Sequence, residues 1–288
     1  MESPKISSRT RVYGIIGDPV DHLISPIFQN AAFRKTGLDG VYVAFQVKSR
    51  YLKSAVTSMK ALGISGFSVT IPHKIRVMQY CDTLDKEASV IGSVNTIVNR
   101  KGSLKGFSTD GRGALQSVGI ARLRGSSVLL LGAGGAARAI AHTFAPEVRR
   151  ISIMNRTISN AQQLERALRR RYQCQVSSAP LTEAKMKELV ENAELIVNAS
   201  SMGMNGKNDP PIRKAWLNPS QTVLDIVYAP RVTTLLRNAQ RAGARRIDGF
   251  GMLLSQGALS FKLWTGKSAP IAEMQRALSR EIMNYADS

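Results

Sequence analysis

The stretch Leu129–Arg138 reads LLLGAGGAAR and joins a run of leucines to a turn of small residues. The apolar run predicts a buried strand, and the small residues predict a tight turn that leads into a helix. The spacing fits the G-x-G-x-x-G/A dinucleotide fingerprint, with Ala137 in the third small position. Glycines let the backbone approach a pyrophosphate, whose charge the helix N-terminus then holds. The residues expected at the cofactor are Gly132, Ala133, Gly134, Gly135 and Ala136.

The end of the next predicted strand indicates which dinucleotide is bound. An NAD site usually has an acidic residue there, about 20 residues after the fingerprint, to bind the ribose hydroxyls. Here the strand ends in Met154-Asn155-Arg156-Thr157, without a carboxylate that would repel a 2′-phosphate. Arg156 can bind that phosphate, and Asn155 and Thr157 offer polar contacts. The sequence therefore predicts NADP, and the alternative for Arg156 is a surface arginine at a strand end.

Strand-like and helix-like segments alternate on both sides of the fingerprint, which predicts an α/β fold with parallel sheets. Ser25-Pro26 predicts a helix start, with Ser25 as the cap and Pro26 in the first turn. The last forty or so residues have a helical pattern. On pattern alone, this tail could extend the middle domain or return to the first.

Charge and composition limit the function classes. The chain of 288 residues has 40 Lys and Arg against 20 Asp and Glu, a net charge of +20, so nucleic acid, anionic membranes and anionic small molecules all come into consideration. Aromatic residues make up only 6% and the basic residues are scattered, which argues against a nucleic-acid surface. Two distant cysteines provide neither a disulfide framework nor a zinc cluster, so a cytoplasmic location is expected. We expect no signal peptide and no membrane span.

Several polar residues lie where a predicted strand meets a turn or a helix, which is where α/β proteins commonly build ligand sites. Lys74, Asn95 and Asp110 are the main candidates. Their alternatives are a surface cation, a turn residue and a helix cap, respectively. Sequence spacing alone does not bring the three together.

The chain resembles the shikimate dehydrogenase family over nearly its whole length. The resemblance rests on ordered motifs, which are Gly17-Asp18-Pro19, Ser25-Pro26 with Asn30, Val69-Thr70-Ile71-Pro72-His73-Lys74, Val94-Asn95-Thr96, Ser108-Thr109-Asp110-Gly111, Gly132-Ala133-Gly134-Gly135-Ala136, Asn155-Arg156-Thr157, Asn198-Ala199-Ser200-Ser201-Met202-Gly203-Met204, Asp225-Ile226-Val227-Tyr228 and Gln256. It implies reduction of 3-dehydroshikimate to shikimate with NADPH, in the pathway to chorismate and the aromatic amino acids. The implied architecture is a substrate domain at 1–110, a Rossmann NADP domain at 111–248, and helices at 249–288 that return to the first domain.

The resemblance also implies roles for individual residues. Lys74 and Asp110 would form the catalytic pair, because a proton donor must reach the oxygen on which hydride transfer develops negative charge. Residues implied to bind the substrate are Thr70, Asn95 and Gln256 at the ring hydroxyls, and Ser25 and Tyr228 at the carboxylate. Residues implied to line the cofactor site are Asn198, Ser200, Met202 and Gly249, although Met202 could equally be core. No metal is expected, and the partner is a small-molecule substrate of a monomer or homodimer, without nucleic acid or membrane.

One position departs from the family pattern. The family has His-Ser-x-Ser-Pro, whereas this chain has His22-Leu23-Ile24-Ser25-Pro26, so Leu23 replaces one hydroxyl that would bind the carboxylate. The departure leaves quinate, an aminoshikimate-type acid or another polyhydroxy ring acid as alternative substrates, unless Ser25, Tyr228 and water suffice to bind the carboxylate. An alternative from a different class, which rests on the basic charge, is a nucleic-acid-binding protein that retains a nucleotide fold.

Overall fold

The computed structural model describes residues 6–286, with side chains as far as Glu281. Residues 1–5 and 287–288, at the outer ends of the predicted ranges 1–110 and 249–288, lie outside the described residues. The chain divides into two compact units, one of Met1–Thr109 with Gln256–Ser288 and one of Asp110–Ser255. The second boundary lies inside a continuous helix, Gly249–Thr265, rather than at its start as in the predicted ranges. The C-terminal residues from Gln256 onward thus belong to the first unit.

The first unit contains a six-stranded sheet with the order β2-β1-β3-β5-β6-β4. Its strands are β1 (Arg11–Gly17), β2 (Gly40–Gln46), β3 (Gly66–Val69), β4 (Thr83–Leu84), β5 (Thr96–Arg100) and β6 (Ser103–Phe107), and its helices before the tail are α1 (Ser25–Thr36), α2 (Leu52–Ala61) and α3 (Lys86–Ile91). Strand β5 runs antiparallel to both β3 and β6, so this sheet is mixed where strand-helix alternation predicts parallel strands. The antiparallel pairing of β5 with β6 follows from a two-residue turn, in which Lys101 and Gly102 both have positive φ, since a hairpin this tight joins only antiparallel strands.

The second unit contains an entirely parallel six-stranded sheet with the order β12-β11-β10-β7-β8-β9. Its strands are β7 (Ser127–Leu131), β8 (Arg150–Asn155), β9 (Gln175–Pro180), β10 (Leu195–Asn198), β11 (Thr222–Asp225) and β12 (Arg245–Ile247), and its helices are α4 (Asp110–Val118), α5 (Ile120–Leu123), α6 (Gly135–Phe144), α7 (Ile158–Arg169), α8 (Glu183–Glu191) and α9 (Thr234–Arg241). The strand order reverses between β7 and β10, the place where open α/β sheets bind ligands. The predicted α/β class with a Rossmann sheet is confirmed.

The C-terminal segment forms α10 (Gly249–Thr265) and α11 (Ile271–Ala286), and its residues from Gln256 onward complete the core of the first unit. The Trp264 ring lies 5.5 Å from that of Tyr13 and 5.7 Å from that of Tyr42, and Phe261 lies 5.1 Å from Phe33. Indole Nε1 of Trp264 also donates a hydrogen bond of 3.0 Å to the carbonyl of Ile97. Buried aromatic side chains contribute several kcal/mol each to a core, so this unit depends on the tail for its stability.

The described helices include none with the length and apolar character needed to cross a lipid bilayer.

Candidate active site

Asn95 is the centre of a buried hydrogen-bond cluster in the first unit. Its side chain is only 2% exposed and lies immediately before β5. Amide Nδ2 donates 2.8 Å to Thr109 Oγ1 and 3.2 Å to Gln256 Oε1, while Oδ1 accepts from the Thr109 backbone N–H at 2.8 Å. The Asn95 amide is therefore held rigidly, with Gln256 beside it. Thr109 belongs to one of the sequence motifs but was not among the predicted site residues, because a threonine in a loop gives no separate signal of its position in a hydrogen-bond cluster.

Lys74 and Thr70 lie in the loop after β3, close to Asn95 along the same edge of the sheet. The Val69 N–H donates to the Asn95 carbonyl at 2.8 Å, and the Val94 N–H donates to the Lys74 carbonyl at 2.8 Å. These two hydrogen bonds hold the loop that contains Thr70 and Lys74 against the segment that contains Asn95. The structure brings together four of the predicted residues of this unit, namely Thr70, Lys74, Asn95 and Gln256.

His73 fixes this loop from the other side. Its ring is fully buried, and Nε2 lies 2.6 Å from the Val47 carbonyl, so Nε2 carries the proton and donates it. His73 thereby ties the residue next to Lys74 to the end of β2, which lies two strands away from β3 in the sheet.

Ser25 is buried, at 5% exposure, and its hydroxyl has no hydrogen-bond partner among the residues that the structure describes. The prediction that Ser25 caps α1 is wrong: the cap position is Ile24, and no side chain bonds the first amides. Ser25 is instead the first helical residue, where its backbone is already helical and its side chain bonds none of the first amides. A buried hydroxyl without a partner is unfavourable by itself, which is consistent with a polar ligand group at this position.

One helical turn further along α1, Gln29 connects this helix to the C-terminal segment. Its amide Nε2 donates a hydrogen bond of 3.0 Å to the carbonyl of Gly257, the residue after Gln256. Ser25 and Gln256 are thus linked through two adjacent elements of the same unit.

In the second unit, the predicted glycine-rich turn lies between β7 and α6. Gly132 has φ of +113°, and a Cβ at this residue would lie 2.7 Å from the Ala199 carbonyl, so glycine is required for two reasons. Gly134 occupies the N-terminal cap of α6 without any side-chain cap and is exposed, so the first amides of the helix are accessible to an anion. This arrangement fits a pyrophosphate.

The residues at the end of β8 are suited to bind the 2′-phosphate of NADP. Arg156 and Thr157 are both exposed, and Asn155 Nδ2 donates 2.8 Å to the Thr157 carbonyl, which shapes the turn before α7. The guanidinium is therefore presented to solvent beside the strand end where a 2′-phosphate would bind.

Asn198 holds the loop after β10 in place through hydrogen bonds, and its side chain is not exposed. Asn198 is fully buried and its Nδ2 donates 2.9 Å to the Met202 carbonyl, while Oδ1 accepts 2.7 Å from the Ser200 hydroxyl. The same Nδ2 donates 2.9 Å to Asp225 Oδ1. Burial raises the pKa of Asp225 to about 6, although three donors stabilise its charged form. Met202 is half-buried against the core, in agreement with its alternative as a packing residue.

The remaining predicted residues all lie in the second unit. Asp110 is the first residue of α4 and is 3% exposed, a position that also suits a carboxylate at a helix N-terminus. Tyr228 is half-buried 6.3 Å from the ring of Phe250, and burial raises the pKa of its phenol. Gly249 begins α10 so close to β11 that a Cβ would lie 2.5 Å from the Ile226 carbonyl.

Within the described part of the chain, no group of three His, Cys, Asp or Glu could hold a metal ion.

Three family models match the chain in sequence order. The substrate-binding domain of shikimate dehydrogenase matches residues 15–97, shikimate/quinate 5-dehydrogenase matches 114–241, and the C-terminal domain of shikimate 5′-dehydrogenase matches 249–278. A curated relative, the shikimate dehydrogenase (NADP(+)) of Alkaliphilus metalliredigens, is 40% identical over 281 residues, which cover 95% of this chain and 98% of the relative.

Two solved structures support the same relationship. A crystal structure of a shikimate dehydrogenase in complex with NADP+ has a TM-score of 0.88 at 40% identity and covers 96% of this chain and 97% of its own. The Thermus thermophilus enzyme in complex with NADP(H) and shikimate has a TM-score of 0.83 at 31% identity and covers 94% of this chain and 99% of its own. The likeness therefore extends over both units and the C-terminal helices.

Proposed function

The chain belongs to the shikimate dehydrogenase family, and we propose that it interconverts 3-dehydroshikimate and shikimate with NADP(H), using Lys74 and Asp110 for acid–base chemistry. The enzyme is an NADP-dependent oxidoreductase of the chorismate and aromatic amino acid pathway. The observation that carries the proposal is the cluster of Thr70, Lys74, Asn95 and Gln256 at one edge of the first sheet. It combines one cation with several neutral hydrogen-bonding groups, which suits a ring that bears hydroxyls and a ketone.

The polar groups of the cluster have separate tasks in the proposed mechanism. Asn95, Gln256 and Thr70 hydrogen-bond the ring hydroxyls and orient the ketone. Ser25, whose buried hydroxyl has no partner among the described residues, donates to the substrate carboxylate. Tyr228 is the second residue that would donate a hydrogen bond to the substrate carboxylate. Burial raises the pKa of its phenol, so the hydroxyl stays protonated and can donate.

Lys74 moves the proton. NADPH, when bound, supplies the hydride that reduces the ketone carbon. Lys74 Nζ donates a proton to the ketone oxygen as the alcohol forms, so that no alkoxide accumulates, and then recovers a proton from solvent. In the reverse direction the neutral amine accepts the hydroxyl proton. Asp110 is assigned as the carboxylate partner of this lysine.

The cofactor side uses the glycine-rich turn and the end of β8. Gly132, Ala133, Gly134, Gly135 and Ala136 would hold the pyrophosphate, and Asn155, Arg156 and Thr157 would hold the 2′-phosphate. Ser200, Met202 and Gly249 would line the nicotinamide side, and Asn198, whose side chain is fully buried, would belong to the same wall by holding its loop. Two free, half-buried cysteines, Cys81 and Cys174, support a cytoplasmic location, and we propose a monomer or homodimer.

An activity matrix tests the proposal. Purified protein is assayed with NADP+ and NAD+ against shikimate, quinate and an aminoshikimate-type acid, and the pair of NADP+ and shikimate should give the highest kcat/KM. Lys74→Ala should lower kcat by a factor of about 10² to 10⁴, the usual contribution of a general acid, without weakening NADPH binding. Normal turnover in that variant would remove Lys74 from the mechanism, and a preference for quinate would change the substrate.

A further inference from the structure

A single buried carboxylate joins three segments at the cofactor edge of the second sheet. Asp225 ends β11, is fully buried, and therefore cannot touch a bound cofactor in this conformation. Its Oδ1 accepts 2.9 Å from Asn198 Nδ2 and 3.1 Å from the Val227 N–H, and its Oδ2 accepts 2.6 Å from Thr233 Oγ1. A buried charge without a cation is unfavourable by several kcal/mol unless its hydrogen bonds compensate.

The two oxygens of Asp225 serve different parts of the structure. Thr233 is the cap of α9, where its hydroxyl also accepts from the Leu236 N–H at 3.3 Å. Oδ2 therefore stabilises the start of a helix. Oδ1 instead holds Asn198, whose amide donates with the same Nδ2 to the Met202 carbonyl at 2.9 Å.

The segment that Oδ1 holds lies directly beside the glycine-rich turn. The Ala199 N–H donates 2.9 Å to the Leu131 carbonyl, and the Ala199 carbonyl is the atom that a Cβ on Gly132 would contact at 2.7 Å. The loop 198–202 thus forms one side of the crevice at the point where the strand order reverses. Its internal bonds, from Ser200 Oγ to Asn198 Oδ1 and from the Met202 N–H to Ser200 Oγ, all depend on the orientation of the Asn198 amide.

We propose that Asp225 Oδ1 is a positioning group for the cofactor: it orients the Asn198 amide and thereby holds loop 198–202 in the conformation that binds NADPH. The inference rests on the proposed function in that the loop is taken to face the nicotinamide. The effect on NADPH binding is assigned to Oδ1 as a hydrogen-bond acceptor and not to the negative charge of the carboxylate. Asp225 is a positioning residue and takes no part in proton transfer.

Two variants of Asp225 separate the acceptor from the charge. Asp225→Ala removes both oxygens and should raise the Kd of NADPH at least about tenfold, the effect of losing one or more hydrogen bonds in a network. Asp225→Asn removes the charge but retains one carbonyl oxygen for Asn198 and Val227, while the hydroxyl of Thr233 can reverse and accept from the new amide. Asp225→Asn should therefore bind NADPH within about threefold of the unmodified protein.

The Kd is measured by NADPH fluorescence without substrate, on protein whose folded fraction is known from thermal denaturation. Asp209→Ala is the matched control, because Asp209 is an exposed carboxylate nearby that bonds Thr234 at 2.8 Å and not Asn198. It should leave the Kd unchanged. Should Asp225→Ala fail to fold, Asn198→Ala removes the other end of the same hydrogen bond and should raise the Kd similarly.

Two results would overturn the inference: folded Asp225→Ala or Asn198→Ala that binds NADPH normally, or Asp225→Asn that is as weak as Asp225→Ala. Failure of the proposed function gives a different result. In that case the unmodified protein binds NADPH but oxidises none of the three acids, whereas the order of the Kd values among the variants is unaffected.

Discussion

Asn95 Nδ2 donates a hydrogen bond of 3.2 Å to Gln256 Oε1, which joins two residues 161 positions apart in the chain. Gln256 is the first residue of the C-terminal segment that belongs to the first unit. We expect Gln256→Ala to raise the KM for shikimate about 3- to 10-fold, the loss of one neutral hydrogen bond, because the Asn95 amide loses a partner that fixes it. Steady-state kinetics measure this, and the NADPH Kd should not change. An unchanged KM would exclude Gln256 from substrate binding.

We expect Ser25 and Leu23 to influence how the proposed substrate carboxylate is bound. Ser25→Ala removes a hydroxyl that would bond a charged group, so kcat/KM for shikimate should fall about 10- to 100-fold. Leu23→Ser restores the second hydroxyl of the family pattern, and it should leave the order of preference among shikimate, quinate and the amino analogue unchanged. If Leu23→Ser instead creates a preference for shikimate that the unmodified protein lacks, then Leu23 determines a different natural substrate.

Arg156 should set the preference for NADP over NAD. Arg156→Ala would remove the proposed charge-assisted contact with the 2′-phosphate, worth about 1.5–3 kcal/mol, so the ratio of kcat/KM for NADP+ to that for NAD+ should fall at least about tenfold. Arg170→Ala is the matched control, since Arg170 is also an exposed arginine, at the C-terminal end of α7. A fall of the same size in both variants would indicate a general electrostatic effect of the basic surface.

His142 and Asp225 should give the second unit two opposite dependences of stability on pH. Burial, with Arg138 and Arg171 nearby, lowers the pKa of His142 to about 4 from 6.5, so the unfolded chain binds a proton between these values that the folded unit does not. That contribution to stability is lost as the pH falls, by about 3 kcal/mol. The pKa of Asp225 is raised to about 6 from 3.8, so its contribution is present at low pH and is lost as the pH rises through this window.

The two contributions nearly cancel in the unmodified protein and should separate in single variants. Urea denaturation at about pH 4 and about pH 7 measures the effect. On acidification, His142→Gln should gain stability relative to the unmodified protein, and Asp225→Asn should lose it. Identical pH profiles for all three proteins would show that neither group titrates in this range.

The periodicity of the sequence predicted β7, β8, β10 and β11 of the second unit, because each contains a short apolar run. Strands β9 (QVSSAP) and β12 (RRI) contain no such run and were not predicted. The fingerprint at Leu129–Arg138 lies between β7 and α6, as predicted. The fold of the first unit was harder to predict from the sequence. The antiparallel pairing of β5 and β6 depends on a turn at Lys101-Gly102, which the alternation of strands and helices does not reveal.

The candidate site was predictable only where a residue carries its own chemistry. Lys74 and Asn95 were found as polar residues at strand ends, and the structure places them together because Val94 and Val69 bond the two loops to each other. Thr109 and His73 act through hydrogen bonds to distant backbone and side-chain atoms, and such contacts have no counterpart in local sequence. The role of Ser25 was mistaken at the helix start, because a serine before a proline suits both a cap and the first helical residue.

Trp264 and Phe261 complete an aromatic core whose other members, Tyr13, Phe33 and Tyr42, lie near the opposite end of the chain. During translation the whole second unit, Asp110–Ser255, is made between these two groups. At about 5–20 residues per second this takes on the order of ten seconds, and domains generally fold as units during synthesis. Tyr13, Phe33 and Tyr42 therefore lack these C-terminal partners while the second unit is made. We expect the substrate-binding unit, whose first residues leave the ribosome earliest, to become native last.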